Sequence, residues 1–221
     1  MIIDHTHPNY VKKRRGIIRQ GDKYNGAYYY SKEIVKNIIP NVVTDRKWIT
    51  VNVPHLEGDF DHSIVFIHNN CNPNYYEWLR KYKDVILVCG TPKTAENMVF
   101  FGTPIYLPLS VDVKQVERYK TKIKSKLVAF AGRRIKINNK VPSYADILTD
   151  MPQTSLLRAM AEYYEIYAVG RTAIQAKILG CKIKVYDERY PDPNFCEIVD
   201  NKDAAKMLQY ELDKIDGGKN V

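Results

Sequence analysis

The 221-residue chain lacks any apolar run near the ~20 residues that cross a bilayer. Its opening, MIIDHTHPNYVKKRR, carries charge after a very short apolar patch, the reverse of a secretory leader, so a cytoplasmic location is expected. Cysteine is sparse. Cys71, Cys89, Cys181 and Cys196 form no C-x-x-C pair, and Cys89 and Cys181 lie at or beside apolar runs, which points to buried free thiols rather than disulfides or a zinc site. No G-x-x-x-x-G-K-[ST] occurs, which disfavours a P-loop nucleoside triphosphatase, and no G-x-G-x-x-G marks a dinucleotide site. Low-complexity tracts, sustained heptads and tandem repeats are also missing. Of the five histidines, His5 and His7 have a metal-binding spacing, but His55, His62 and His68 follow in no matching strand series. A frayed N-terminus with incidental histidines, and no metal, is the expectation.

What is present describes a folded protein. Hydrophobic residues make up 45% and charged residues 27%, ordinary for a globular chain. Short β-rich runs alternate with helical patterns: IVFIH (64–68) then PNYYEWLRKY, VILVC (85–89) then PKTAENMVFFG, and LVAFAG (127–132) then PQTSLLRAMAEYYE. IYAVG (166–170) then RTAIQAKILG, and KIKVYD (182–187) before a helix near Asn201–Asp216, continue the series. Earlier, GIIRQ (16–20), a loop over 21–26, AYYYSKEIVKNII and WITVNV (48–53) suggest strand, turn, helix and strand. Strands apolar on both faces that alternate with helices mean parallel sheets covered on both sides. The fold class is α/β, and the prolines of PIYLPL followed by a charge run set a break that gives domains 1–113 and 114–221.

The net charge of +9 is concentrated: Lys114–Lys140 carries ten Lys or Arg residues against the single acid Glu117. Such a stretch attracts phosphate, unless it is a solvated linker. In open parallel sheets ligands bind at the carboxyl ends of strands, beside helix N-termini that favour anions. Two segments suit that task. AGRR (131–134) leaves a strand with Gly132, Arg133 and Arg134, with Lys136 and Lys140 close behind; VGRTA (169–173) leaves the next with Gly170, Arg171 and Thr172. Glycine admits a phosphate to the backbone, arginine offers a planar fork of donors, and threonine can cap the helix or donate a hydroxyl.

These motifs resemble the nucleotide-sugar-binding domain of GT-B-fold glycosyltransferases. LVAFAGR (127–133) is similar to the strand that opens that domain, and GRTAIQAKILGCKIKVYD (170–187) to the G-x-x-x-x-E-A-x-x-x-G helix over the donor's phosphates and ribose. EIVDNKDAAKMLQYEL (197–212) is similar to the closing strand and helix, and residues 62–112 to the end of the acceptor-side domain. The resemblance implies two Rossmann-like domains facing across a cleft. It also implies metal-independent transfer of a sugar from a nucleotide diphosphate such as a UDP-sugar, with no other cofactor, to an acceptor hydroxyl. Arg133, Arg134, Lys136 and Arg171 would stabilise the departing diphosphate. Tyr167 and Gln175 stand where many retaining members carry two glutamates; Gln175 can still hydrogen-bond a ribose hydroxyl. An inverting mechanism needs a base in the first domain, for which His68 is the first candidate and Asp112 the second. Two other functions fit the same residues: a nucleic-acid-binding protein or DNA-modifying sugar transferase using the basic 114–140 face, and a non-catalytic nucleotide-binding module.

Overall fold

The computed structural model of the chain describes residues 2–4, 26–51, 58–67 and 73–217. Along the first stretch run strand β1 (Ile2–Asp4), helix α1 (Gly26–Glu33), strands β2 (Lys47–Val51), β3 (Ser63–Ile67) and β4 (Val85–Cys89), helix α2 (Pro92–Met98) and strand β5 (Thr103–Tyr106). Helix α3 (Val113–Glu117), strands β6 (Lys126–Ala131) and β7 (Asp146–Leu148), helix α4 (Gln153–Ala161), strand β8 (Tyr163–Tyr167), helix α5 (Gly170–Ile178) and strand β9 (Lys182–Lys184) follow. Helix α6 (Asn201–Gly217) ends the described chain.

The strands form two wholly parallel sheets, ordered β1-β2-β3-β4-β5 and β7-β6-β8-β9, as expected for an α/β chain with Rossmann-like units. Among the described residues, one compact unit combines Ile2–Asp4 and Ala27–Leu109 with α6, and the other is Ser110–Asp200 together with Gly26. The last helix, expected to close the second domain, is therefore part of the first unit.

In the first sheet every residue of β3 and β4 is buried, so side chains of both parities pack. One parity sets Ile49, Val65 and Leu87 against Tyr76 and Leu79 of a 3-10 helix over Pro73–Lys81, and against Met98 and Phe101. On the other, Trp48 stacks on Phe66 at 6.0 Å, and Ser31 and Thr50 join hydroxyls at 3.1 Å. Helix α1 continues through a π-helical turn, Ile34–Ile38, that buries Ile34 and Ile38 and packs against α6. Each such buried aliphatic side chain contributes about 1.5–3 kcal/mol. Thr91 caps α2 by accepting from the Thr94 N–H at 3.1 Å, with Pro92 in the first turn.

A charged network lies at the amino ends of these strands. The Arg46 guanidinium, fully buried, donates to the Asp84 carbonyl (3.0 Å) and carboxylate (3.2 Å) and to Asp216 of α6 (2.7 Å). His62 bridges Asp84 (2.7 Å, through Nδ1) and Asp45 (3.0 Å, through Nε2). These hydrogen bonds to Asp84 and Asp45 hold its imidazolium above the ordinary histidine range.

Three boundaries depart from the sequence expectations. Ile2–Asp4 is not frayed but pairs with Trp48–Thr50 as an edge strand. The helix expected to run through YYE stops at Ala161, and the strand starts at Tyr163 rather than Ile166. Two donors meet the Ala161 carbonyl there, Thr121 Oγ1 at 2.8 Å and Lys124 Nζ at 3.1 Å, ending the helix. The short strand β7 was not anticipated. The strand expected at 16–20, the loop at 21–25, and His5, His7 and Cys71 lie outside the described residues. Cys89 and Cys181 are buried thiols, and Cys196 is a partly buried one.

Candidate functional site

The order β7-β6-β8-β9 reverses direction once. From β6 the chain moves outward to β7, crosses back to β8 beside β6, and continues outward to β9. Loops leaving β6 and β8 therefore diverge, and such a switch point opens a crevice at the carboxyl ends of the strands. In the first sheet, sequential order leaves no reversal among the described strands. The two loops at the switch point are those of Gly132–Arg134 and Gly170–Thr172, brought side by side by the register Phe130↔Tyr167.

Geometry favours glycine at both positions. A Cβ on Gly132 would stand 3.0 Å from the Phe130 ring and 3.1 Å from the Tyr186 hydroxyl. Gly170 has φ of 59°, the left-handed region that glycine takes without strain. Its turn starts α5 with Val169 at the cap position and no side-chain cap. The first-turn N–H groups, with the positive end of the helix dipole, thus follow the end of β8 without a side chain capping them. Thr172 occupies the third helical position, so the cap expected of it falls instead to Val169.

Arg133 and Arg134 are exposed beside this crevice, and the Nε and Nη2 of half-buried Arg171 are drawn inside. Lys136 lies 5.2 Å from the Tyr190 ring centroid and 3.4 Å from its hydroxyl. Gln175 is 2% exposed, and its Oε1 accepts from Gln153 Nε2 at 2.9 Å. The amide expected to meet a ribose is thus engaged in the interior, between α4 and α5.

A third loop, not singled out by the sequence, joins the site. The residues after β9 fold toward the β6 loop, where Asn138 Nδ2 donates to the Tyr186 carbonyl at 2.9 Å and Tyr186 meets Phe130 edge to face at 5.1 Å. Burial pushes the Tyr186 hydroxyl up to about 12, so it stays protonated at neutral pH. Arg189 grips Asp187 through two nitrogens (2.8 and 2.6 Å), which holds that carboxylate below its usual range. Lys136, Asn138, Lys140, Tyr186 and Arg189 line a depression of about 410 Å³, and Lys140 pairs with Glu188 on its rim. The tyrosine-and-arginine run YDERY was the available signal, but nothing local in it shows which loop it folds against. A larger depression, about 500 Å³, is lined by Arg80, Asp84, Phe100 and Thr103 in the first unit. It lies at the amino ends of β4 and β5, just past the C-terminal ends of the Pro73–Lys81 helix and α2, and offers less to an anion.

The remaining candidates are placed differently. His68 lies outside the described residues. Asp112, expected as a base in the first domain, belongs to the second unit, where its Oδ1 caps α3 by accepting from the Gln115 N–H at 2.8 Å. The basic stretch 114–140 is not one face. Lys120, Lys124 and Lys126 sit at the amino edge of the second sheet, and Arg133–Lys140 follow its carboxyl edge. The length of β6, six residues beginning at Lys126 and about 20 Å of strand, lies between the two groups. Among the described residues, no three His, Cys, Asp or Glu side chains gather as a metal site, and no helix is long and apolar enough to cross a membrane. Comparison with protein-family models, curated proteins and solved structures gives no match.

Proposed function

We propose that the protein is a GT-B-type glycosyltransferase that moves a sugar from a nucleotide diphosphate, such as a UDP-sugar, to an acceptor hydroxyl. The observation that carries this reading is the meeting of two glycine-arginine loops at the one switch point of the described strands. A diphosphate lying over Gly132 and Gly170 would meet the uncapped N–H groups of α5 and fixed cations from Arg133, Arg134, Lys136 and Arg171. Those donors gain strength as charge builds on the leaving diphosphate, which is where they lower a barrier. The loop after β9 supplies ring surface and hydrogen-bonding groups for a sugar or base. The acceptor and its base fall to the first unit, with His68 the candidate.

The test is thermal unfolding with UDP, GDP, ADP and their sugars, repeated on Arg171→Ala. At a hundredfold excess over Kd, a bound nucleotide adds about 2.7 kcal/mol, roughly 5–10 °C for a chain of this length. Absence of a shift with every nucleotide would remove the donor site; a shift untouched by Arg171→Ala would remove its placement.

A second reading, a nucleotide-binding module without turnover, is favoured by Gln175 and Asp112, whose polar groups are occupied structurally. Release of UDP from the stabilising UDP-sugar over hours separates the two: a binder releases none, whereas a transferase hydrolyses its donor slowly in the absence of acceptor.

A further inference from the structure

At the opposite edge of the second sheet the chain makes a strap, RYKTKIKSKL (118–127), with five basic residues and no acid. It is held against the ends of two helices. Thr121 Oγ1 and Lys124 Nζ donate to the Ala161 carbonyl (2.8 and 3.1 Å), Lys124 also to Leu179 (3.1 Å), and the Ser125 and Lys126 N–H groups to Glu162 (3.0 Å each). So anchored, the strap turns Ile123 outward with 82% of its surface exposed, and Leu127 with 74%. Tyr164, beside Leu127 in the β6–β8 register, is 53% exposed. The charges divide by task. Lys124 answers helix carbonyls and Lys126 pairs with Glu162 at 2.7 Å, leaving Arg118, Lys120 and Lys122 on the outer surface.

We propose that this strap docks the protein on a bilayer containing anionic lipid. Two aliphatic side chains held in water beside cations complement a surface with negative headgroups above acyl chains, and a tyrosine suits the boundary between them. A nucleic acid would use the cations but gains nothing from Ile123 and Leu127. Of the nearby rings, Tyr119 lies under Arg158 at 5.8 Å and Tyr163 is buried under Lys126 at 5.3 Å, which leaves Tyr164 alone to stack on a base. The proposal is independent of the nucleotide site, which lies at the other end of β6.

Co-sedimentation with extruded vesicles tests it, using phosphatidylcholine alone and with about one-third phosphatidylglycerol. The whole chain is expected to sediment with the anionic vesicles only, less as salt rises. Lys120→Ala with Lys122→Ala should weaken partitioning about 25-fold, roughly fivefold per cation. Ile123→Ser should weaken it about tenfold and Ile123→Leu hardly at all, with unfolding temperatures unchanged because all three side chains face solvent. Equal binding by Ile123→Ser, no binding to anionic vesicles, or binding of an oligonucleotide that vesicles do not displace would each overturn the proposal.

Discussion

Where β6 and β8 end, Gly132 and Gly170 suit their places for different reasons, side-chain crowding at the first and a left-handed φ at the second. At Gly132 the constraint is space, because Phe130 and Tyr186 occupy what a methyl group would need. Gly132→Ala should lower stability by about 1–3 kcal/mol through overpacking, read as a lower urea midpoint with unchanged slope, and should weaken any nucleotide-induced shift in parallel. Gln175 tests the resemblance from the other side. Placing glutamate there puts a carboxyl in a buried position beside Gln153, where burial raises its pKa above the unfolded value near 4.3. The neutral form is then favoured in the folded state, so Gln175→Glu should approach wild-type stability below about pH 4 and lose it as pH rises through the raised value. Thermal melts of both proteins between pH 4 and pH 8 measure this. The glycine-arginine pairs were legible because their residue types demand that backbone and that charge. The burial of Gln175 was not, since Gln153, 22 positions away, determines it.

Among elements, those with strong apolar runs fell where their sequences place them: VILVC is β4 to the residue, and Asn201–Asp216 is nearly all of α6. The departures come from elements whose limits depend on distant partners. AEYYE carries a helical period into a β-prone tyrosine pair, and Thr121 and Lys124 settle the matter from 40 and 37 residues away. Strands β1 and β7 have three residues each and exist because a neighbour pairs with them. The amino ends of β2, β3 and β4 are joined by charge, and there pH matters. His62 is raised by Asp84 and Asp45, with Arg46 beside it opposing. Its contribution is fully present below the unfolded pKa near 6.5 and is lost as pH rises through the folded value. Screening at so exposed a site limits the effect to about 1 kcal/mol or less, roughly 2–4 °C in Tm; His62→Gln should flatten the Tm profile between pH 6 and pH 8. Arg46→Ala is more severe, because it empties a fully buried position and removes the hydrogen bonds to Asp84 and Asp216: about 2–5 kcal/mol, measured by urea unfolding.

For the whole molecule, the sequence sets its division between residues 113 and 114, whereas the two compact units divide between Leu109 and Ser110, with α6 in the earlier one. Composition marks a linker by its prolines and charge. It cannot mark a helix that returns, because the apolar stripe of α6 (Ala204, Ala205, Leu208, Leu212) reads alike whichever unit buries it. A chain cut after Asp200 should therefore lose the cooperative unfolding of the first unit and leave residues 110–200 protected, as hydrogen exchange would show. Biosynthesis meets the same constraint. On the ribosome, Ser110–Asp200 can fold once its own residues emerge, whereas the earlier-made unit must wait, with Arg46 lacking Asp216 and Ile34 and Ile38 uncovered, until α6 has been synthesised. The unit begun earlier is completed later, and nascent chains stalled near residue 200 should expose it to chaperones and proteases.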